Sequence, residues 1–392
     1  MKHVFIYLIA VLVCSPASFA QAGSKAGRVD LSFNVDLRTV FPRPKPIVRA
    51  IAVQPDGKTL IAGNFRTVTP DSRSDLIRLN ADDTVDTTFN VTLGGAGGTD
   101  VTDIALQSDG RIVIGGGFWS VNGVEKYHMA RLNADGSLDN SFTPSSFLTP
   151  GGPRHFKIRS DGKFAVGIFS LSGSPVTIRL NSNGSLDTTF GNPPFEYING
   201  GTDLAVDSSN RTYVCLPSHL PSYFVRFNND GSRDTSFVVS VTQASGNKCG
   251  VRELTNGRLL VWGPFTAING VARNGLAMLD PDGSLVTSFV PEINAPTLVS
   301  DIELQPDGRI FFVGYDSGTS FSGRIFIGRL NADGSLDSTW HRGRGVSFVY
   351  DNDSVVPIIS KIKVRDARKL LIGGKFFRYD GIPRAGLMQI RL

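Results

Sequence analysis

The sequence predicts an all-β fold, a seven-bladed β-propeller of four-stranded antiparallel blades, and two observations predict it. The block Arg131–Phe142, RLNADGSLDNSF, recurs with small changes at 78–89, 179–190, 226–237, 278–289 and 329–340, which makes six full copies in 392 residues. Upstream of each copy lies a second hairpin pattern, of which 104–118, IALQSDGRIVIGGGF, is typical. A period of roughly 50 residues built from two hairpins cannot bury its apolar faces alone, whereas stacking such units around an axis buries them.

Each block opens on an apolar strand (MARLN, LIRLN), passes an Asn/Asp-Gly turn and closes on Asp-x-x-Phe. A seventh copy is split: Arg391-Leu392 supply its first two letters and Arg28–Phe33, RVDLSF, its last six. Residues 28–33 are therefore expected to complete a last blade formed by 356–392, closing the ring between distant parts of the chain. Between them and the first blade, PRPKP (42–46) reads as a stiff extended connector.

Composition fits this picture. With 41% hydrophobic and 19% charged residues the chain can bury a core, and its 43 glycines favour turns and close approach of neighbouring units. A formal charge of +5 is too mild to mark a nucleic-acid binder. Residues 1–20, MKHVFIYLIAVLVCSPASFA, combine a basic start, an apolar run and a small-residue site, the pattern of a secretory signal peptide. The mature chain, 21–392, is then one propeller domain outside the cytoplasm, with no further apolar run long enough for a helix to span a bilayer. Export argues against nucleic acid as a partner.

Cys215 and Cys249 are the cysteines left after cleavage, and the repeat register sets them near the same face of neighbouring blades. A disulfide and a pair of buried thiols are both open.

The Asp-x-x-Phe ending reads as structural: a carboxylate that accepts turn N–H groups, and a ring wedged between blades. In the copy at 278–289 Val286 replaces the Asp, and in the copy at 329–340 Trp340 replaces the Phe. Aligning Gly136 with the glycine of a calcium loop puts Arg131 and Phe142 at ligand positions, so no metal or other cofactor is expected. Gly94–Gly98 precedes a strand rather than a helix and lacks the geometry to hold a phosphate. His128, His155, His219 and His341 show no metal-ligand spacing.

Alternation of strand direction puts the tight turns, rich in Asp, on one face and the long loops, which carry Arg and Lys, on the other. On the loop side Trp119, Tyr127, Arg273, Arg342, Arg344, Tyr350 and Arg378 are the candidate ligand-binding residues, since aromatic planes beside guanidinium groups suit sugars, peptides or anionic polymers.

The blocks Gln107-Ser108-Asp109-Gly110-Arg111, Gly116-Gly117-Phe118 and Arg131–Phe142 resemble the delta-60 repeat family of bacterial secreted and surface propellers. The resemblance covers nearly all of the mature chain. It implies the propeller fold and no catalytic residues. The third and fourth blades depart from it by lacking Gly-Gly-x-Phe.

The expected role is a secreted, non-catalytic binding or scaffolding module that recognises a surface glycan or an envelope or surface protein through its long loops. Two alternatives stand beside it. One is a lyase or hydrolase at the loop-side mouth of the channel, with Glu125, Glu196 or Glu253 as carboxylate; the other is a structural component of a surface assembly.

Overall fold

The computed structural model describes residues 27–38, 46–67, 73–95, 99–144, 152–169, 175–191, 203–216, 224–243, 249–293, 297–316, 325–340, 358–376, 378–379 and 382–392. Among these every regular element is a strand.

Seven antiparallel units follow one another along the chain. Unit one comprises Ile47–Val53, Thr59–Thr67 and Ser74–Leu79; unit two Val101–Leu106, Ile112–Gly116 and Met129–Leu132. Units three to five begin on Pro153–Ile158, Leu204–Val206 and Gly250–Glu253, and units six and seven on Thr297–Leu304 and Ile358–Asp366. The second strand is central in every unit, paired with the first on one side and the third on the other.

The expected fourth strand is reduced to a single bridge, a correction to the four-stranded blade. Leu132 bridges Leu138, and the same contact recurs as Leu79 with Val85, Leu180 with Leu186, Phe227 with Arg233, Leu279 with Leu285, and Leu330 with Leu336. The physical reason lies in the block itself. After the bridge the chain turns, the Phe142 N–H donating to the Asp139 carbonyl at 3.2 Å as Phe289 does to Val286 in unit five, and this turn ends the ladder; the Asp139 carboxylate braces it by accepting the N–H and the hydroxyl of Ser141 (2.9 and 2.6 Å).

In unit seven the equivalent bridge joins Val29 to Ile390. Gly27 donates to the Arg391 carbonyl and Asp30 to that of Gln389, both at 2.8 Å. This register corrects the split motif by two residues: Gln389-Ile390 occupy the positions of Arg131-Leu132, because Leu371 pairs with Gln389 as Val113 pairs with Arg131. The Gln389 amide still reaches the Asp30 carboxylate at 3.1 Å, and Arg391 reaches it at 2.9 Å.

The core lies between units. Leu60, Ala62 and Phe89 of unit one pack with Ile112, Ile114 and Phe118 of unit two, and Phe33 packs with Val48, Ile61 and Leu371. The block's final ring is buried in all seven copies, from Phe33 to Trp340. Each full motif except that of unit five adds a cation over the ring: the Arg131 guanidinium sits 5.0 Å from the Phe142 centroid and its Nε donates to Asp139 at 2.7 Å.

The residue that enters the third strand has a left-handed backbone in four units: Asp75 (φ 66°), His128 (65°), Gly275 (71°) and Gly386 (72°). Glycine takes this conformation freely, whereas Asp75 and His128 hold it at a cost of about 1 kcal/mol.

First strands of neighbouring units adjoin from one to five and from six to seven, and the first strand of unit seven adjoins that of unit one. Units five and six meet through Leu259–Trp262 against Thr297–Leu304 and through an Arg252–Glu303 ion pair at 2.8 Å. The succession thus returns to its start, with the unpaired edges of the first strands facing inward.

Candidate functional site

Aligning the first strands by their turns gives two columns of side chains. The first is Ala50, Asp103, His155, Asp203, Gly250, Asp301 and Lys361; the second is Ala52, Ala105, Lys157, Ala205, Arg252, Glu303 and Lys363. Small residues alternate with charges of both signs, and the charges meet. Lys361 stands 3.6 Å from Asp301, Lys363 2.7 Å from Glu303, and His155 3.8 Å from Asp103.

The carboxylates also satisfy the inward edges. Asp103 accepts the N–H of Phe156 at 3.0 Å, and Asp301 that of Ile362 at 2.8 Å, in each case from the next unit. The electrostatics follow from this crowding. Asp301 is the chief cause that pushes the Lys361 ammonium up to about 12, with Asp203 and Asp103 adding to it. Burial would raise the Asp103 carboxyl, yet Lys157, His155 and Lys361 hold it below its ordinary value. Burial prevails at Asp301, which is raised despite Lys361 and Arg252. A lysine so strongly protonated is a fixed cation, suited to attracting anions and unsuited to acting as a base.

This axial cluster was absent from the loop-based candidates. Its signal was the repeat alignment, in which one column changes from alanine to charge.

A second region lies on the rim. After Phe118 the chain forms a hairpin, Ser120–Val121 with Val124–Glu125, that pairs with Leu93–Gly94. Asn122 and Gly123 supply the two positive φ values of its turn (50° and 78°). Asn122 ties the tip down, accepting from the Thr92 N–H at 2.9 Å and donating to the Gly136 carbonyl at 3.2 Å. The hairpin therefore lies along the outer side of unit two. Trp119 and Tyr127 flank its base, 46% and 43% exposed, and Val124 near its tip is exposed as well. Tyr127 donates to Glu125 at 2.6 Å. Unit five repeats the device with Phe265–Ile268 and Val271–Ala272, and unit seven with Arg378–Tyr379 and Ile382–Pro383.

The other candidates fall differently. Arg273 is buried and donates to the carbonyls of Ala272 (2.8 Å) and Thr287 (3.1 Å), so it caps backbone rather than facing a ligand. Lys126 and Arg73 do the same for Phe142 and Thr87, at 2.9 and 2.7 Å. Arg378 is exposed on the hairpin of unit seven. Arg342, Arg344, Tyr350, Glu196, His219 and His341 lie outside the described residues.

His128 is buried, with Nδ1 3.0 Å from the Gly116 carbonyl, a structural contact. Glu253 sits at the tight-turn end of its strand, close to Ser208 and Arg211, away from the loop mouth where a catalytic carboxylate was expected. Cys215 and Cys249 are joined by a disulfide, Cα to Cα 6.0 Å. Among the described residues no group of three or more His, Cys, Asp or Glu is arranged to hold a metal ion.

Residues 54–89, 107–142, 159–190, 222–237, 254–289 and 305–339 match the family model described as domain of unknown function (DUF5122) beta-propeller. The repeats are β-propeller repeats. No curated protein matches the chain. Among solved structures, the propeller is similar to the GH74 xyloglucanase from Xanthomonas campestris, at 12% identity over 91% of this chain and 55% of that one, with a TM-score of 0.51. It is also similar to a protein of unknown function from Dyadobacter fermentans, at 14% identity over 91% and 98% of the two chains, with a TM-score of 0.40. A polysaccharide lyase titled ulvan lyase matches at 11% identity over 92% and 95%, with a TM-score of 0.43. At these identities the xyloglucanase likeness bears on the fold alone, and the other two carry no argument.

Proposed function

We propose that the protein is a secreted, seven-bladed propeller that serves as a non-catalytic binding or scaffolding module for a surface glycan or an envelope protein. Seven units whose succession returns to its start, with Val29 bridging Ile390, support the blade count and the closure. The signal-like residues 1–20 and a disulfide between units four and five favour an oxidising compartment.

The observation that carries the binding role is the rim hairpin, which exposes Trp119, Val124 and Tyr127 within nine residues while Asn122 ties its tip and the Trp119 N–H, donating to the Gly94 carbonyl, ties its base. Rigid exposed aromatics contribute contact area at little entropic cost. Binding of the mature protein to envelope fractions and a glycan panel tests this. Retention that falls at least tenfold in Trp119→Ala and Tyr127→Ala is expected, and retention unchanged in both variants overturns the assignment.

The lyase or hydrolase reading rests on one pair, His155 beside Asp103 on the axis. Release of reducing ends or of unsaturated sugars from the same glycans, lost in His155→Gln, would replace the binding role with catalysis.

A further inference from the structure

The axial cluster counts as balanced, four carboxylates (Asp103, Asp203, Asp301, Glu303) against Lys157, Arg252, Lys361 and Lys363. Its accessible lining is not balanced. The Asp103, Asp301 and Glu303 side chains are 11%, 4% and 5% exposed, while Lys361, Arg252 and Lys363 are 29%, 34% and 36% exposed.

The cause is the unpaired inward edge of each first strand. Its N–H groups need acceptors, and carboxylates from the preceding unit supply them: Asp103 to Phe156, Asp301 to Ile362, and Glu303 to Val364 at 3.4 Å. Drawn against the backbone, these three acids withdraw from the axis, whereas Asp203 stays half-buried, and the longer cationic side chains line it. Arg252 and Lys363 share the carboxylate of Glu303, with Asp301 and Asp203 also acting on Arg252, so the accessible ends of the cations stand over acids that are largely buried.

We propose that the axis of the propeller binds an anionic group, a carboxylate or a sulfate, between Lys361, Lys363 and Arg252. A guanidinium beside two ammonium groups offers forked and single donors to such an oxyanion, and low-dielectric walls on every side concentrate their field. The site is separate from the rim hairpin and stands whether or not that hairpin binds a partner.

Calorimetric titration of the full mature chain with sodium sulfate and with sodium glucuronate, at constant ionic strength set by chloride, tests the proposal. Saturable binding of at least one is expected, and the tighter of the two identifies the oxyanion. Lys363→Met leaves Arg252 on Glu303, and Arg252→Met leaves Lys363 there, so neither strands the buried acid; each weakens binding at least tenfold. Arg111→Ser, on an exposed turn, and Trp119→Ala leave it unchanged. Absence of saturable binding of either anion, binding in both axial variants equal to that of the wild type, or an equal loss in Arg111→Ser overturns the proposal.

Discussion

Val286 donates its backbone N–H to the carbonyl of Met278 at 2.9 Å, the same bond that joins Asp139 to Arg131 in unit two. Where unit two has an ion pair, unit five has two apolar side chains packed with Phe289. The exchange is paired, as it must be if one buried charge without its partner is costly. Arg258, whose counterparts Lys58 and Lys163 bind the motif Asp in their units, binds Asp280 instead, at 2.8 Å.

Arg131→Met alone is therefore expected to destabilise the protein by about 3 kcal/mol, and Arg131→Met with Asp139→Val to recover most of that loss. Urea unfolding of wild type, both single variants and the double variant measures the coupling. Additive losses would count against it.

Closure between distant segments gives a second expectation. Phe33 is fully buried against unit one, so Phe33→Ala should cost about 3 to 5 kcal/mol, as for a core phenylalanine elsewhere. Deleting 27–33 should lower the melting temperature further, since it also strips Ile390 and Gln389 of their partners. A melting temperature equal to that of the full mature chain would show that the seam carries no load.

The disulfide spans 34 residues, for which loop-closure entropy predicts roughly 3 to 4 kcal/mol of stabilisation. Mass spectrometry after alkylation of the unfolded, unreduced mature protein should find neither Cys215 nor Cys249 labelled. Reduction should lower the melting temperature by several degrees.

Acidity separates two kinds of aspartate. Burial pushes the Asp75 carboxyl up to about 6, against a hydrogen bond from Thr99, and Asp100 adds repulsion. The folded chain thus holds this proton more tightly than the unfolded chain does. Its stabilising contribution is complete below about pH 4 and is lost as pH rises through 6. Asp75→Asn, which also tolerates a positive φ, should raise the melting temperature above pH 7 and give no advantage at pH 4. Asp139 has the opposite sign: burial resists, but Ser141 and Arg131 hold it down at about 2. Its contribution is present above about pH 4 and fades toward pH 2, so Asp139→Asn should cost stability at pH 7 and little at pH 2.

Much of the fold was legible because each repeat carries its own turn residues and its own Arg, Asp and ring. The degenerate turn of unit four also keeps its shape, with Asn210 at φ 60° where units one, two, three, five and six have glycine. The outer strand was overcounted, since the backbone turn that Phe142 closes on the Asp139 carbonyl ends the ladder after one bridge. Arg273 was misread because a loop arginine looks exposed in sequence. Its capping role shows only beside Lys126, which lies at the same offset from its own motif ring. The axial charges were hidden by distance along the chain: Asp103 and Lys361 act on each other although 258 positions separate them.

The motif arginines of units one to four also reach forward, each to a carbonyl in the next unit: Arg78 to Ala134, Arg131 to Ser182, Arg179 to Asn229 and Arg226 to Pro281. Unit seven hands on to unit one through a different residue, Arg365, which donates to Asn80 at 2.6 Å. These links run from unit seven to unit one and on to unit five, all in the same direction, so a unit that melts among them takes away the acceptor that its predecessor's buried cation requires. Linear repeat arrays fray unit by unit, whereas the six units joined by these links should be lost together.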